Sequence, residues 1–390
     1  MVLTLIYWYS GIDMVAPVFE HITAIIVVSM LFVSAVIAVP AISYVNLLYV
    51  DQQQFRNMAL EALNSMLLGT GYPSEWGSSA SFNESDVTKF GLALSDGFSF
   101  YVLDPDKVQR LDVNNPSGSL DYETMRTILG LQDYGFNIRI TPPFNVTAIQ
   151  KSGIPSLLYE VNVTFNDGRP IPNAHVEAAI LYVENKQDYS NTETENSTNL
   201  LGRCTIEKML PSGVTDYVVV LKATVADLAT VTSTYMEGFG HQHTTNASII
   251  GENISLSIPE GPGWEKGSSG KRWIDSIVVV SADGTWHLYN GSKLDDPIIW
   301  SDSQNGWAWS KIFTGLSYYN PLFIIFNLSV PNPRQLALFV GPFTTASGYR
   351  IFAFGSSSAQ PPSGAVLRLS RSVEISGMTY IFELLIWKEV

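Results

Sequence analysis

The chain has 390 residues, a formal net charge of -14 and a single cysteine, Cys204. This length predicts a helix plus roughly two or three globular units, and one cysteine excludes both an internal disulfide and a multi-cysteine metal site. Because the basic residues are scattered rather than clustered, the charge argues against a nucleic-acid partner and favours an acidic exterior exposed to water.

An apolar stretch near the N-terminus dominates the sequence. Ile22–Val50 contains no Asp, Glu, Lys, Arg or His. As one helix it would be roughly 44 Å long, more than the ~30 Å hydrocarbon core of a bilayer requires. The following segment, Asp51–Leu68, is rich in helix formers, with apolar residues at spacings of three and four. A helix from about Pro17 to Leu68 is therefore predicted, and Gly69 is expected to begin its stop.

Three features modify this helix. Met1–Tyr9 is a short apolar run of its own, which the residues around Gly11 are expected to interrupt. Glu20 and His21 are costly in hydrocarbon, so we expect them at a membrane boundary or in contact with a partner. Pro40 lacks a backbone donor and is expected to kink or locally unwind the helix.

This region resembles the archaeal branch of the type IV pilin superfamily, which includes adhesive pilins and archaellins. The resemblance rests on Glu20 ahead of an uninterrupted apolar helix, on Pro40 within it, and on Leu67–Gly77, which is similar to a G-x-P-x-x-W-G junction in archaeal surface proteins. It covers about the first 77 residues. It implies that helices from many copies form a filament core, that Glu20 and Pro40 take part in assembly, and that a β-rich head follows.

The sequence departs from that family in one respect. No Lys or Arg precedes Glu20, whereas a prepilin peptidase usually cuts after a basic and a small residue. Cleavage at an atypical site around Asp13–Ala16, no cleavage, and a different native start all stay open.

The predicted fold class is α+β: a long N-terminal hydrophobic helix followed by a predominantly β head with Ig-like β-sandwich units. The predicted regions are 1–77 (helix and junction), 78–150 (a small α+β unit), 151–245 (an Ig-like β-sandwich) and 246–390 (a C-terminal β domain).

Local patterns predict the elements of the head. Ser119–Leu131 is typical of a helix with Ser119 as its N-cap and Gly130 as its stop. The strand after it should place Phe136, Ile138 and Ile140 on one face.

The middle of the chain shows strand-like alternation. Ser156–Glu184 predicts a hairpin around Asn166-Asp167-Gly168, and Gln187–Asn199 a long exposed connection. The turn region resembles the opening of Ig-like or prealbumin-like modules; the matching residues are Gly168, Pro170, Asn173, Ala174 and Val176. Further strands are expected after residue 246, with an Asp283-Gly284 turn.

Eight N-x-S/T sequons follow the helix, against roughly four expected by chance for this composition. This excess favours an extracellular, glycosylated body, although several sequons would also occur by accident in strands and turns. The sequons begin at Asn83, Asn145, Asn162, Asn196, Asn246, Asn253, Asn290 and Asn327.

Few residues are candidates for metal binding or catalysis. His241 and His243, with Glu237, could share a metal ion, but an exposed polar loop is the favoured interpretation. His175 and His287 are interpreted as structural, and Cys204 as buried. The paired carboxylates of Asp104 and Asp106 are ordinary turn composition. No catalytic residue, metal or cofactor is assigned.

An aromatic-rich segment could stack on sugars or anchor a neighbouring subunit, although a β-domain core with ordinary loops is the favoured interpretation. It contains Trp300, Trp307, Trp309, Tyr318 and Tyr319.

These patterns predict a non-enzymatic subunit of an extracellular, type IV pilus-like filament. Its N-terminal helices would lie in a membrane before assembly and then join copies of the chain into a homo-oligomer. The head would be exposed for adhesion to cell-surface or carbohydrate ligands. Two alternatives stay open: a monomeric membrane-anchored adhesin or binding ectodomain with its C-terminal domains outside, and an anchored carbohydrate-active enzyme.

Overall fold

The structure is a computed structural model of the chain. It describes residues 2–79, 82–95, 100–113, 115, 117–185, 188–226, 228–235, 245–258, 273–290, 307–329, 335–340, 344–345, 348–349, 352–355 and 366–389.

The first element, α1, is one helix from Val2 to Leu68. The predicted end at Leu68 is confirmed, whereas the predicted start near Pro17 is wrong, because the helix begins at Val2. The expected interruption around Gly11 is wrong, because the helix continues through it; one glycine costs only about 1 kcal/mol relative to alanine, which regular helix on both sides can offset. The helix is also unbroken at Pro40, so the expected local unwinding does not occur.

The chain separates into two compact units, Met1–Glu61 and Ala62–Val390. The first unit is helical throughout its described residues. The second contains the last residues of α1 and all the described strands. The coarse α+β prediction, an apolar helix followed by a mostly β region, is confirmed.

Within the described residues, α1 is followed by the short helices α2 (Pro105–Gln109) and α3 (Tyr122–Ile128). Short 3₁₀ turns lie at Glu84–Asp86 and Leu316–Tyr319. In chain order, the strands are β1 (Val102–Leu103), β2 (Tyr134–Thr141), β3 (Phe144–Ser152), β4 (Ser156–Phe165), β5 (His175–Glu184), β6 (Asp188–Ser197), β7 (Arg203–Met209), β8 (Val214–Val225), β9 (Leu228–Tyr235), β10 (Thr245–Ile250), β11 (Asn253–Ile258), β12 (Trp273–Val280), β13 (Thr285–Asn290), β14 (Trp307–Ile312), β15 (Phe323–Ser329), β16 (Gln335–Val340), β17 (Thr344–Thr345), β18 (Gly348–Tyr349), β19 (Phe352–Gly355), β20 (Val366–Ile375) and β21 (Met378–Lys388).

The end of α1 is packed into the second unit. Leu63 and Met66 are fully buried. The Gly69 N–H donates to the Ser65 carbonyl at 3.1 Å, and the Leu92 N–H donates to the Met66 carbonyl at 2.8 Å. The first bond continues the helical pattern, whereas the second satisfies a terminal carbonyl from a separate segment of the chain. The helix end is therefore held by both apolar packing and backbone hydrogen bonds.

One sheet joins distant parts of the head. Its strand order is β1-β20-β21-β2-β19, with β1 and β20 parallel and the other pairs antiparallel. The predicted inward face of β2 is confirmed, because Phe136, Ile138 and Ile140 are all buried. The last residues of the chain thus pair with strands that precede residue 145.

The N-cap of α3 is Asp121, so the assignment of Ser119 is wrong. The Asp121 carboxylate accepts hydrogen bonds from the N–H groups of Glu123 at 2.9 Å and Thr124 at 3.3 Å. Leu120 is fully buried, and its N–H donates to the Arg110 carbonyl. The intervening apolar residue thus belongs to the core before the helix begins. Gly130, with φ +69°, follows the helix end as predicted.

Strands β3 to β9 form two facing sheets, one ordered β3-β4-β7 and the other β6-β5-β8-β9. Both sheets contribute side chains to one hydrophobic core, including Val161 and Val176. The predicted β4–β5 hairpin is wrong, because β4 pairs with β3 and β7, whereas β5 pairs with β6 and β8. The connection between them crosses from one sheet to the other and buries Ile171 and Ala174 in the shared core.

The predicted exposed connection at Gln187–Asn199 is also wrong. Most of it is strand β6, which pairs with β5 from Asp188 to Ser197. This strand lies at the edge of its sheet. Polar, charged residues are common on edge strands because they discourage pairing with other chains. The polar composition that predicts a loop therefore belongs to an edge strand here.

A larger sheet has the order β13-β12-β15-β16-β10-β11-β14. Its β12–β13 hairpin contains Asp283 and Gly284 in the turn, as the sequence predicts. A separate ribbon pairs β17 with β18.

The junction can be tested at Gly77. An alanine Cβ there would lie 2.5 Å from Lys107 Cγ and 2.6 Å from the Lys107 backbone nitrogen, so the backbone would have to shift. We expect Gly77→Ala to lower the free energy of unfolding by about 1–3 kcal/mol or more, measured by denaturation of the full chain in detergent. The matched control is Gly153→Ala, whose Cβ would meet only the end of the Gln150 side chain. Equal stabilities for the two variants would contradict the tight junction.

Candidate functional site

The feature that most needs a partner is the apolar surface of α1. Phe19–Val36 has a mean hydropathy of 2.0, and none of its residues is buried. By length and composition alone, this segment can cross a membrane. A signal anchor, a membrane span and a helix that packs in an assembly can all have this length and composition.

The apolar surface extends around the whole helix. Ile25, Val28, Met30 and Phe32 are each more than 60% exposed. Since successive residues are rotated by about 100°, Met30 lies on the opposite side of the helix from the other three, and the exposed Leu31 lies between them. A helix that is apolar all round is stable only when lipid or other protein covers it.

Polar side chains within this segment are adapted to an apolar environment. The hydroxyls of Thr23 and Ser34 donate to the carbonyls of Phe19 and Met30, four residues earlier, each at 2.8 Å. Their donors are therefore satisfied within the helix.

The residues predicted to act in assembly lie on this helix. Glu20 and its neighbour His21 are exposed at the start of the segment. Pro40 lies within α1. The structure thus places both predicted residues on the helix.

The predicted sequons are distributed over several elements. Asn83 and Asn196 are exposed, whereas Asn145, Asn162 and Asn253 are partly buried. Asn83 caps a 3₁₀ turn by accepting from the Ser85 N–H, and the Asn196 amide donates to the Thr205 carbonyl at 2.7 Å. The remaining three sequons begin within strands, at Asn246 of β10, Asn290 of β13 and Asn327 of β15.

The aromatic segment is only partly brought together. Tyr319 packs against Trp286, with ring centroids 5.7 Å apart, and Tyr318 is 88% exposed. Trp307 and Trp309 lie in β14. Trp300 lies outside the described residues, as do His241, His243 and Glu237 of the histidine hypothesis.

A buried polar network lies beside the junction, and the sequence gives little sign of it. Arg110 is fully buried, and its guanidinium donates to the carbonyls of Gly77 at 3.0 Å, Ser79 at 2.7 Å and Gly118 at 3.1 Å, and also to the Ser117 carbonyl. Buried guanidinium donors need such acceptors, because an unpaired buried charge is very costly. Arg110 thus fixes the loop that follows α1.

Residues of α2 extend this network to the strand pair β10–β11. The Gln109 side chain both donates to the Ile249 carbonyl at 2.6 Å and accepts from the Ile249 N–H at 2.8 Å. Lys107 is fully buried and contacts Asp104 at 3.3 Å and the Ala93 carbonyl at 2.9 Å. The network thus joins three segments that are far apart in sequence.

The buried network shifts the pKa of the Asp106 carboxyl group. Its carboxylate accepts the Gly251 N–H at 2.9 Å. Burial, together with the negative charge of Asp104, raises the pKa of Asp106 to about 7. Burial likewise raises the pKa of Asp104, against the opposing charge of Lys107. The interpretation of this pair as ordinary turn composition is incomplete, because both side chains are held inside a polar network.

Cys204 is buried, as predicted, at 7% exposure. Burial raises the pKa of its thiol to about 11, which keeps the sulfur protonated and unreactive at neutral pH.

A second polar cluster lies on the outer face of β5 and β6. His175 Nε2 is 3.3 Å from Glu177 Oε1 and 3.5 Å from Glu195 Oε2. Glu177 also contacts Lys222 of β8 at 3.4 Å. Beside the cluster, a cleft of about 460 Å³ is lined by Glu177, Glu193, Glu195, Lys222 and the β12–β13 turn.

No protein-family model matches this chain, and no curated protein sequence matches it significantly. Among solved structures, the chain is similar to Escherichia coli alpha-2-macroglobulin activated by porcine elastase, with 10% identity over 59% of this chain and 23% of that one, at a TM-score of 0.20. It is also similar to invasin, a bacterial integrin-binding protein, with 14% identity over 62% of this chain and 54% of that one, at a TM-score of 0.16. The chain therefore spans less than two thirds of either neighbour. At these scores the similarities carry no argument about this protein.

The buried carboxyl predicts a specific pH dependence. Asp106 is protonated in the folded protein up to about pH 7, whereas in the unfolded chain it ionises near its ordinary value of 3.8. Between these values the folded state binds more protons, so this group's contribution to stability is lost as pH rises from about 4 to 7. We expect Asp106→Asn, which keeps an acceptor for Gly251, to be more stable than wild type above pH 7 and nearly equal to it at pH 4.

Denaturation curves of the full chain at pH 4, 5.5, 7 and 8 would measure this difference. A stability difference that does not grow between pH 4 and 7 would contradict the assigned environment. The control is Asp133→Asn, which makes the same substitution at an exposed position.

Proposed function

We propose that this protein is a structural subunit of an extracellular, type IV pilin-like filament, in which α1 forms the core and the β-rich unit is exposed. The observation that supports this proposal best is the exposed apolar surface on every side of Phe19–Val36. In a filament, helices from several copies would surround each helix and cover it completely.

The energy available from such packing is large. Burial of apolar surface contributes about 25 cal/mol per Å², or about 1.5–3 kcal/mol for each large apolar side chain. Phe19–Val36 exposes eleven such side chains, which are Phe19, Ile22, Ile25, Ile26, Val27, Val28, Met30, Leu31, Phe32, Val33 and Val36. Helix packing can therefore hold a polymer together without covalent bonds.

The length of α1 also supports assembly. Its 67 residues correspond to roughly 100 Å, about three times the hydrocarbon thickness of a bilayer. A simple anchor needs only about 20 residues. The additional length is explained if the helix packs along its neighbours.

The junction that resembles archaeal surface proteins has a structural role consistent with this proposal. Trp76 of the G-x-P-x-x-W-G segment is buried, and its Nε1 donates to the Gly91 carbonyl at 3.1 Å. Gly77 leaves room for Lys107, and its carbonyl accepts from Arg110. The segment thus joins the end of α1 to the buried network.

We further infer that β3–β9 is an Ig-like module. Numbered within the module, its first, second and fifth strands form one sheet, and its third, sixth and seventh strands form the other, together with the fourth. Ig-type sandwiches likewise separate the A, B and E strands from the C, F and G strands. Modules of this type suit an exposed head that makes surface contacts.

In this proposal the head faces the outside of the cell and bears N-linked glycans. Asn83 and Asn196 are the best-supported acceptors, because both are exposed. Adhesion to cell-surface or carbohydrate ligands is the proposed role of the head.

The alternative is a monomeric protein anchored in a membrane by α1, with the head outside as an adhesin or binding domain. One observation favours it: the 18-residue segment Phe19–Val36 has about the length and composition of a single span.

Electron microscopy of the native cell surface distinguishes the filament subunit from the anchored monomer, if the polypeptide is marked with an antibody. The filament proposal predicts regular labelled filaments, and diffuse labelling without filaments would contradict it.

The helix surface is tested by placing a charge on it. We expect Val28→Glu to abolish filament formation, because a charge in an apolar helix bundle has no partner there. Sedimentation and electron microscopy after detergent removal would measure assembly. Gln53→Glu adds the same charge at an exposed position of the same helix and is expected to leave filaments intact.

The proposed role of Glu20 needs a separate test. We expect Glu20→Ala to reduce the yield of filaments, whereas Glu61→Ala, which removes an exposed carboxylate elsewhere on the helix, should have little effect. The same assembly assay applies. If both variants assemble like wild type, Glu20 has no special role, although the helix-core proposal would still hold.

A further inference from the structure

The outer face of the β5–β6 pair places an imidazole and two carboxylates together. His175 and Glu177 are two residues apart on β5, so their side chains project from the same face of the sheet. Val176 and Ala178, which alternate with them, are buried in the core. On β6, Glu195 lies directly opposite Glu177. The register of the two strands therefore creates the cluster, although its members lie up to twenty residues apart.

Two glutamates placed directly opposite each other require a compensating positive charge. Like charges at such positions destabilise a strand pair. Lys222 provides part of this compensation by contacting Oε2 of Glu177. The other oxygen, Oε1, faces His175, and Glu195 directs its Oε2 to the same imidazole nitrogen. The three atoms therefore converge on one point that Lys222 does not occupy.

From this geometry we propose that His175, Glu177 and Glu195 form a binding site for a divalent transition metal of the zinc class. Ligand atoms at about 2.0–2.1 Å from a tetrahedral zinc ion lie about 3.3–3.4 Å from each other. The imidazole nitrogen is 3.3 Å and 3.5 Å from the two carboxylate oxygens, and all three atoms lie within 4.8 Å of one another. Imidazole nitrogen and carboxylate oxygen are both zinc ligands in proteins.

The surroundings provide the rest of the coordination. The cleft beside the cluster, with a volume of about 460 Å³, leaves room for water as a fourth ligand. Lys222 acts as an outer partner that orients the Glu177 carboxylate, as hydrogen-bonded groups do around metal ligands. The site is half-exposed, so an ion can reach it without any opening of the sandwich.

A metal ion at this site would link β5 to the edge strand β6. An ion shared by His175, Glu177 and Glu195 would cross-link the two strands and replace the repulsion between the two glutamates with attraction. Metal binding at this position therefore stabilises the polar edge of the sandwich.

Zinc titration of the full chain in detergent, after treatment with a chelator, tests this proposal. A chromophoric zinc indicator would report competition between protein and dye. We expect wild type to bind zinc and His175→Gln to bind it at least about tenfold more weakly, since even outer-shell losses cost 10–100-fold. Glu195→Gln should show a similar loss; its side chain is 71% exposed, so the fold does not depend on it. Excess calcium, which prefers six to eight oxygen ligands, should not displace the zinc.

The control variant removes two closely spaced histidines that do not belong to the site, as His241→Gln combined with His243→Gln. It is expected to bind zinc with wild-type affinity. A protonated imidazole bridging two glutamates would satisfy the same contacts without metal, and then His175→Gln would leave zinc affinity unchanged. That result, or loss of zinc binding in the double variant instead, would overturn the proposal.

Discussion

The uncovered apolar surface of α1 is the constraint on which the rest of this protein depends. Along Phe19–Val36 the described side chains are exposed on every side, and the hydroxyls of Thr23 and Ser34 are satisfied by the helix itself. Water is therefore the one environment in which this segment is unfavourable. Lipid or a bundle of similar helices would cover it, and the proposed filament takes the bundle as the final environment of α1.

A second constraint is that the helix end must be joined firmly to the head. Two cations, Lys107 and Arg110, are fully buried near the junction, and each is paired with carbonyls or a carboxylate. Without these acceptors the buried charges would be unpaired, which is far more costly than a surface change. The raised pKa of Asp106 has its main cause in the same interior, because burial of this carboxyl group disfavours its charged form. Stability of the head and attachment of the helix are thus linked through one network.

Sequence patterns predicted the features that are local. The end of α1 at Leu68, the buried face of β2 and the Asp-Gly hairpin between β12 and β13 each follow from residues that are near one another in the chain. Non-local pairing was not predictable in this way. Alternation in β4 and β5 indicated two strands correctly but could not show that they lie in different sheets, and the polar residues of β6 resemble a loop unless its position at a sheet edge is known.

The same limit applies to the candidate sites. The exposed helix could be predicted because its signal is continuous along the sequence. Arg110 gave no signal, since its acceptors lie in loops whose positions depend on the whole fold. His175, Glu177 and Glu195 converge because of the β5–β6 register, which the sequence does not specify. Glu20 and Pro40 lie on α1 as expected, and the assembly roles proposed for them would involve neighbouring copies of the chain.

The central claim is that copies of this protein cover one another's apolar helices. Its most direct test is a spin label at Val28→Cys, introduced into a Cys204→Ala chain so that the label has one attachment site. After detergent removal, electron paramagnetic resonance would measure dipolar coupling between labels, because packed helix axes lie about 8–10 Å apart. The account predicts strong intermolecular coupling and low accessibility to oxygen. Magnetically isolated labels that oxygen reaches from lipid would contradict it and identify α1 as a membrane anchor alone.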